Sequence, residues 1–145
     1  MASLRKFLFG KGFSKVKLKF TSTDHFQIKA SINGVEGDFI LDTGASSSCV
    51  DYSKIRHFKL LAQNSDVKAA GAGATNMRTQ VSEHNKIQIG DWKKSRQQIV
   101  VFDLSHVNTA LLDHAADEVD GIIGADILIK GKAVIDYSRK ALYLK

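Results

Sequence analysis

The stretch Phe39-Ile40-Leu41-Asp42-Thr43-Gly44-Ala45-Ser46-Ser47 runs three apolar residues into a carboxylate and then into small residues. The apolar run marks a buried strand, and Asp42 stands where that strand ends. A carboxylate in such a place is partly desolvated and calls for donors. Thr43 brings a hydroxyl, and Gly44 lets the backbone come close because it has no side chain. Taken alone, Asp42-Thr43-Gly44 fits equally an acid that caps a turn at a strand end.

Outward from this stretch, period-2 alternation is the recurrent pattern. His25 to Ile32 alternates through Phe26, Ile28 and Ala30, Asn33-Gly34 follows, and Val35 to Leu41 runs back. Asn-Gly between two such runs predicts a β-hairpin over 25–41. Val16 to Phe20 reads as a further strand, as do Thr79-Gln80-Val81, Lys86 to Ile89, Gln97 to Phe102, Lys132 to Tyr137 and Lys140 to Lys145. Irregular spacing over Ser53 to Leu61 predicts at most a short helical turn. Ser105 is placed to cap a helix running to about Ala116. Residues 69–75 are small and glycine-rich, between strand-like flanks.

A second stretch, Val119-Asp120-Gly121-Ile122-Ile123-Gly124-Ala125-Asp126-Ile127-Leu128, sets a short apolar strand before a glycine and a short helix. Asp126 near the helix start has an ordinary electrostatic explanation. Each stretch alone is unremarkable in a folded protein. Their order and spacing together, with Ile135-Asp136-Tyr137 and Leu142-Tyr143-Leu144 at the end, resemble the retropepsin-like aspartic proteases, most of all the bacterial single-domain branch.

The resemblance covers about residues 16–145 and implies a mostly β fold: an acid-protease-like closed β-barrel, single-lobed, with one or two short helices. It implies that Asp42 is the catalytic aspartate and that Thr43 locks the two active-site loops across a dimer. Gly44 would support the carboxylate, with Ala45 and Ser46 following as cleft positions. Gly71, Ala72 and Gly73 would form the tip of a flap over the substrate, and Ile122 and Ile123 the strand packed against the catalytic loop. Two departures from the viral pattern stand out. Ser46 follows Ala45 where an acid is usual, and Ala125 stands where viral enzymes carry arginine.

The chain has 145 residues, enough for one domain at roughly 100–200 residues each. A short arm over 1–14 and a single domain over 15–145 are expected. The acids are 12 Asp and 3 Glu, a skew toward turns and strand ends rather than helices. Net charge is +6, yet Lys and Arg are scattered and aromatics make up only 8%, so no nucleic-acid groove is expected. The five histidines include no i, i+4 pair, and no metal or other cofactor is expected. Gly71-Ala72-Gly73 lacks the third glycine of a dinucleotide loop. The apolar run at Phe7-Leu8-Phe9 is too short for a signal-peptide core, and a lone Cys49 fits a reducing compartment, so a cytoplasmic protein without stable membrane insertion is expected.

Two functions compete at this point. One is endopeptidase cleavage of a peptide or protein by a homodimer that joins two Asp42 carboxylates. The other is a non-catalytic binding or regulatory module that stays monomeric or lacks a competent pair.

Overall fold

The structure, a computed structural model, describes residues 3–65 and 79–145. In chain order the elements are α1 (Leu4–Gly10), β1 (Ser14–Lys17), β2 (Lys19–Phe20), β3 (Phe26–Ile32), β4 (Val35–Leu41) and β5 (Cys49–Asp51). A 3-10 turn (Tyr52–Lys54) leads to β6 (Ala62–Ser65), β7 (Thr79–Ile89), β8 (Trp92–Phe102) and α2 (Ser105–Asp113). The chain then forms β9 (Gly121–Ile123), α3 (Ala125–Lys130), β10 (Val134–Asp136) and β11 (Ala141–Leu144).

The Asn-Gly signal holds. Asn33 and Gly34 both take positive φ, 52° and 84°, as a tight two-residue hairpin requires. β3 and β4 then pair from Ile32↔Val35 to Phe26↔Leu41. β4 runs parallel to β9, β9 antiparallel to β5, β5 parallel to β8 and β8 antiparallel to β7. β7 returns to β3 through Ser31↔Gln88 and Ile32↔Ile87. Six strands thus close on themselves, which leaves that circuit without an open edge. β2 and β6 extend it on the outside, and β1, β11 and β10 form a separate three-stranded sheet.

Continuous apolar runs occur where a strand is covered on both faces. Phe39, Leu41, Val50, Val101 and Ile123 point into the barrel core with Ile32, Phe58 and Ile127. Their neighbours Ile40, Cys49, Val100, Phe102 and Ile122 point the other way, into a second core with Leu104 and Leu111. Burial pushes the Cys49 thiol far above its ordinary range, so it stays protonated and inert.

Three expectations change. Val16 to Phe20 is not one strand: Leu18 is buried, its N–H donates to the Lys140 carbonyl (2.8 Å), and the chain passes there from one sheet to the other. Thr79 to Ile89 is one strand rather than two, irregular in register between Ser82 and Ile87. The buried Asn85 amide fills that irregularity, donating to the Ser82 and Gln97 carbonyls and accepting from Asn33. Finally, Ser105 does not cap α2. Asp103 takes the Ser105 N–H (2.8 Å) and Asp51 takes the Leu104 N–H (2.7 Å). Among the described residues there are three short α-helices, α1 among them, with Leu8 packed on Ala141 and Tyr143. No helix among the described residues is long and apolar enough to cross a membrane.

Candidate active site

Asp42 lies in the tight turn that follows β4. Its N–H donates to the Ile123 carbonyl (2.9 Å) and its own carbonyl accepts from Ala45 N–H (3.2 Å). The side chain is half-buried, and Oδ1 accepts from the Gly44 N–H at 2.9 Å. The donor expected from the sequence is therefore a backbone amide two residues on, not the Thr43 hydroxyl. Thr43, Gly44 and Ser46 are exposed, whereas Ala45 is buried with its methyl in the second core.

A set of contacts fixes this turn against β9 and α3. The Ala125 N–H donates to the Ala45 carbonyl (2.7 Å), and the Gly124 N–H donates to Ser48 Oγ (2.8 Å). Ser48 Oγ donates in turn to Asp126 Oδ1 (2.7 Å), and the Ser48 N–H points at both Asp126 oxygens (3.0 and 3.1 Å). Gln97 Nε2 donates to Asp126 Oδ2 (3.1 Å), and Lys130 Nζ donates to Gln97 Oε1 (2.7 Å). An ionised carboxylate only accepts, so a ring of donors is the partner set it needs. Asp126 does sit in the first turn of α3, as the sequence implies, but its carboxylate works across the molecule. Nothing in the sequence marks Ser48 or Gln97 as its partners.

Beside Asp42 opens a cleft of about 610 Å³. Ile40 and Ile122 form its floor, Val107 and Leu111 of α2 one wall, and residues Ser22–His25 the opposite wall. Successive strand residues face opposite ways. Of the two isoleucines expected at the site, Ile122 therefore lines the cleft, while Ile123 is wholly buried in the barrel core. Ala45 and Ser46 are not among the residues lining it. Gly71, Ala72 and Gly73, the expected flap tip, lie outside the described residues. A larger groove of about 720 Å³, between β1, β2 and β3, carries four lysines and touches no residue of the Asp42 turn. Two of those lysines are neutralised by ion pairs, Lys19 with Asp117 and Lys29 with Asp38 (both 3.0 Å). No group of three or more His, Cys, Asp or Glu among the described residues is arranged to hold a metal ion.

A six-strand barrel, a carboxylate turn tied to an Ile-Ile-Gly strand and a cleft at that turn define a class of protein. Residues 28–127 match the aspartyl protease family, and the chain belongs to it. A comparison with the curated proteins finds no match. Among solved structures the fold is similar to a retropepsin-like aspartic protease from Rickettsia conorii, with a TM-score of 0.62 and 19% identity over 91% of this chain and 89% of that one. It is also similar to the retroviral protease-like domain of Ddi1 from Leishmania major (TM-score 0.58, 16% identity, 82% and 86% covered). A third is the EIAV protease complexed with the inhibitor HBY-793 (TM-score 0.56, 19% identity, 76% and 90% covered). At these identities the likeness establishes the retropepsin-like fold.

Proposed function

We propose that the chain is an aspartic endopeptidase acting as a symmetric homodimer, with one Asp42 from each protomer in the catalytic pair. The observation that carries this is the Asp42 carboxylate itself. It is held at one oxygen by the Gly44 N–H, set on a turn tied to β9, and opens on a cleft. The chain contains Asp-Thr-Gly once, so a pair needs a second copy. The exposed Thr43 and Gly44 are the surface left for that copy.

The chemistry follows from placing two carboxylates about 3 Å apart, where both cannot ionise and one proton is shared. The ionised member takes a proton from water while the neutral one donates to the scissile carbonyl. Water attacks the carbonyl carbon, the C–N bond of the tetrahedral species breaks, and the amine leaves with a proton returned from the pair. Water is the nucleophile throughout, so no acyl-enzyme forms. A lone chain holds one such carboxylate and would be the binding module instead.

Sedimentation and peptide cleavage, measured on the same dilution series, separate these two. Cleavage per chain should rise with concentration in step with the dimer fraction. A chain that is monomeric at the highest concentration, with peptide present, or that cleaves equally well per chain after dissociation, overturns the proposal.

A further inference from the structure

The sheet of β1, β11 and β10 turns one face to the barrel, through Val16, Ile135, Leu142 and Leu144, and carries α1 on the other. Leu8 packs on that second face against Ala141 and Tyr143, with Phe13 and Val134 beside them. Residues directly opposite in adjacent strands point to the same face. Lys15 opposes Tyr143 and Lys17 opposes Ala141, so both lysines stand on the face that α1 covers. Arg5 and Lys6 join them from the helix, and Lys11 from its C-cap. Lys145 reaches the same place, its Nζ 5.9 Å over the Phe13 ring. None of these six cations makes an ion pair among the described residues. Asp136, opposite Ala141, is the one acid among the described residues that the register of these strands puts there.

The same face is apolar where the helix meets solvent. Leu4 is 44% exposed, Phe7 57% and Phe9 43%, three large apolar residues within six positions. At about 3.6 residues per turn, Lys6 stands opposite the buried Leu8, and Phe7 and Phe9 flank it on the two sides of the helix. Arg5 Cζ lies 5.3 Å from the Phe9 ring centroid and Lys11 Nζ 5.5 Å from that of Phe7. A nucleic-acid strand needs free ring faces within a basic groove. Here each ring already holds a cation of its own chain, on an exposed ridge. An anionic bilayer asks for cations at the level of its phosphates and apolar side chains that sink just below them. Charge complementarity and exposed apolar surface therefore name the same occupant.

We propose that α1 and the basic face beneath it dock the protein reversibly on an anionic membrane surface, with Phe7 and Phe9 entering the headgroup layer and the six cations meeting lipid phosphates. The helix lies in the interface; at seven residues it is far too short to cross a bilayer. Stable anchoring takes two signals, and this face supplies both an apolar one and a basic one. The inference is independent of the role of Asp42.

Co-sedimentation of the full chain with vesicles tests it, one set of phosphatidylcholine alone and one with about one third phosphatidylserine. At about 0.1 M salt the affinity for the anionic set should exceed that for the neutral set by about tenfold or more, and it should fall by about tenfold at about 0.5 M. A Lys6→Glu, Lys11→Glu double variant should lose at least about tenfold, since each cation near the surface is worth about fivefold. Phe7→Ser should lose about fivefold to tenfold. Phe7→Trp should gain about twofold to fivefold, a change that misfolding cannot produce. Arg56→Glu with Lys59→Glu alters net charge equally on exposed residues outside this face, and should stay within about twofold. Equal binding to the two vesicle sets, no binding to the anionic set, or an equal loss in the Arg56→Glu, Lys59→Glu variant overturns the proposal. So does tighter binding to single-stranded DNA or polyglutamate than to the anionic vesicles, lost in the same α1 variants.

Discussion

Asp42→Asn should lower peptide cleavage by about a thousandfold or more while the chain stays folded. The carboxamide has nearly the shape of the carboxylate, and its oxygen still accepts from the Gly44 N–H that holds Asp42 Oδ1 at 2.9 Å. The turn keeps its other ties, the Asp42 N–H to the Ile123 carbonyl and the Ala45 N–H to the Asp42 carbonyl. What is lost is the ionisable proton site. In a homodimer both sites change at once, so neither a base for water nor an acid for the carbonyl remains. The measurement is kcat/KM on a cleaved peptide, paired with a thermal melt of the same sample. A melt within a degree or two of the parent is expected. Cleavage within about tenfold of the parent would remove Asp42 from the chemistry.

Gly121→Ala should act on the fold rather than the chemistry, at a cost of about 3 kcal/mol or more. Gly121 opens β9 between β4 and β5, paired with Phe39 on one side and Val50 on the other. A Cβ there would fall 2.1 Å from the Cys49 carbonyl oxygen and 2.9 Å from the Phe39 ring. The first is backbone in the adjacent strand and cannot swing aside as the end of a long side chain would. Relief requires β9 to move away from β5, which loosens the strand that anchors the Asp42 turn. On a domain of ordinary stability, about 5–15 kcal/mol, this is a large fraction. Thermal unfolding should drop by roughly 10 °C. Gly10→Ala is the contrast, since a Cβ there meets nothing within 4 Å. Its melt should stay within about 3 °C of the parent. An unchanged Gly121→Ala melt would contradict the strand packing described.

How much of this was legible in the sequence depended on whether the deciding interaction was local. The hairpin over Phe26–Leu41 was legible because Asn33-Gly34 dictates its own backbone angles and the flanking alternation fixes which side is buried. The Ile122-Ile123 run announced a strand, but not that one isoleucine faces the cleft and the other the barrel. That assignment needs the strand's partners, β4 and β5. Val16 to Phe20 alternates as one strand would, and only Lys140, far along the chain, shows where it changes sheets. Helix α1 has seven residues, too few to hold by propensity, so its stability comes from Leu8 packing against β11.

The site divides along the same line. Asp42, Thr43 and Gly44 form a contiguous motif and could be read directly. Asp126 could be seen as a helix-start acid, but its bonds to Ser48 and Gln97 span 78 and 29 residues and leave no pattern in the sequence. His25, His106 and His114 look like isolated histidines for the same reason. Helix α2 and the loop before β3 bring them to the lining of one cleft, and the tie between Ser22 and His114 that joins those walls is invisible until the chain is folded.

The central claim is that catalysis needs an Asp42 from each of two chains. Mixing tests it most directly. Wild-type chain and Asp42→Asn chain are combined in equal amounts, at a fixed total concentration where the dimer predominates, and left to exchange. Random pairing leaves about one quarter of the dimers with two Asp42 residues, so cleavage should fall to about one quarter of the wild-type value. Cleavage at about one half, the value for chains that each act alone, would contradict it.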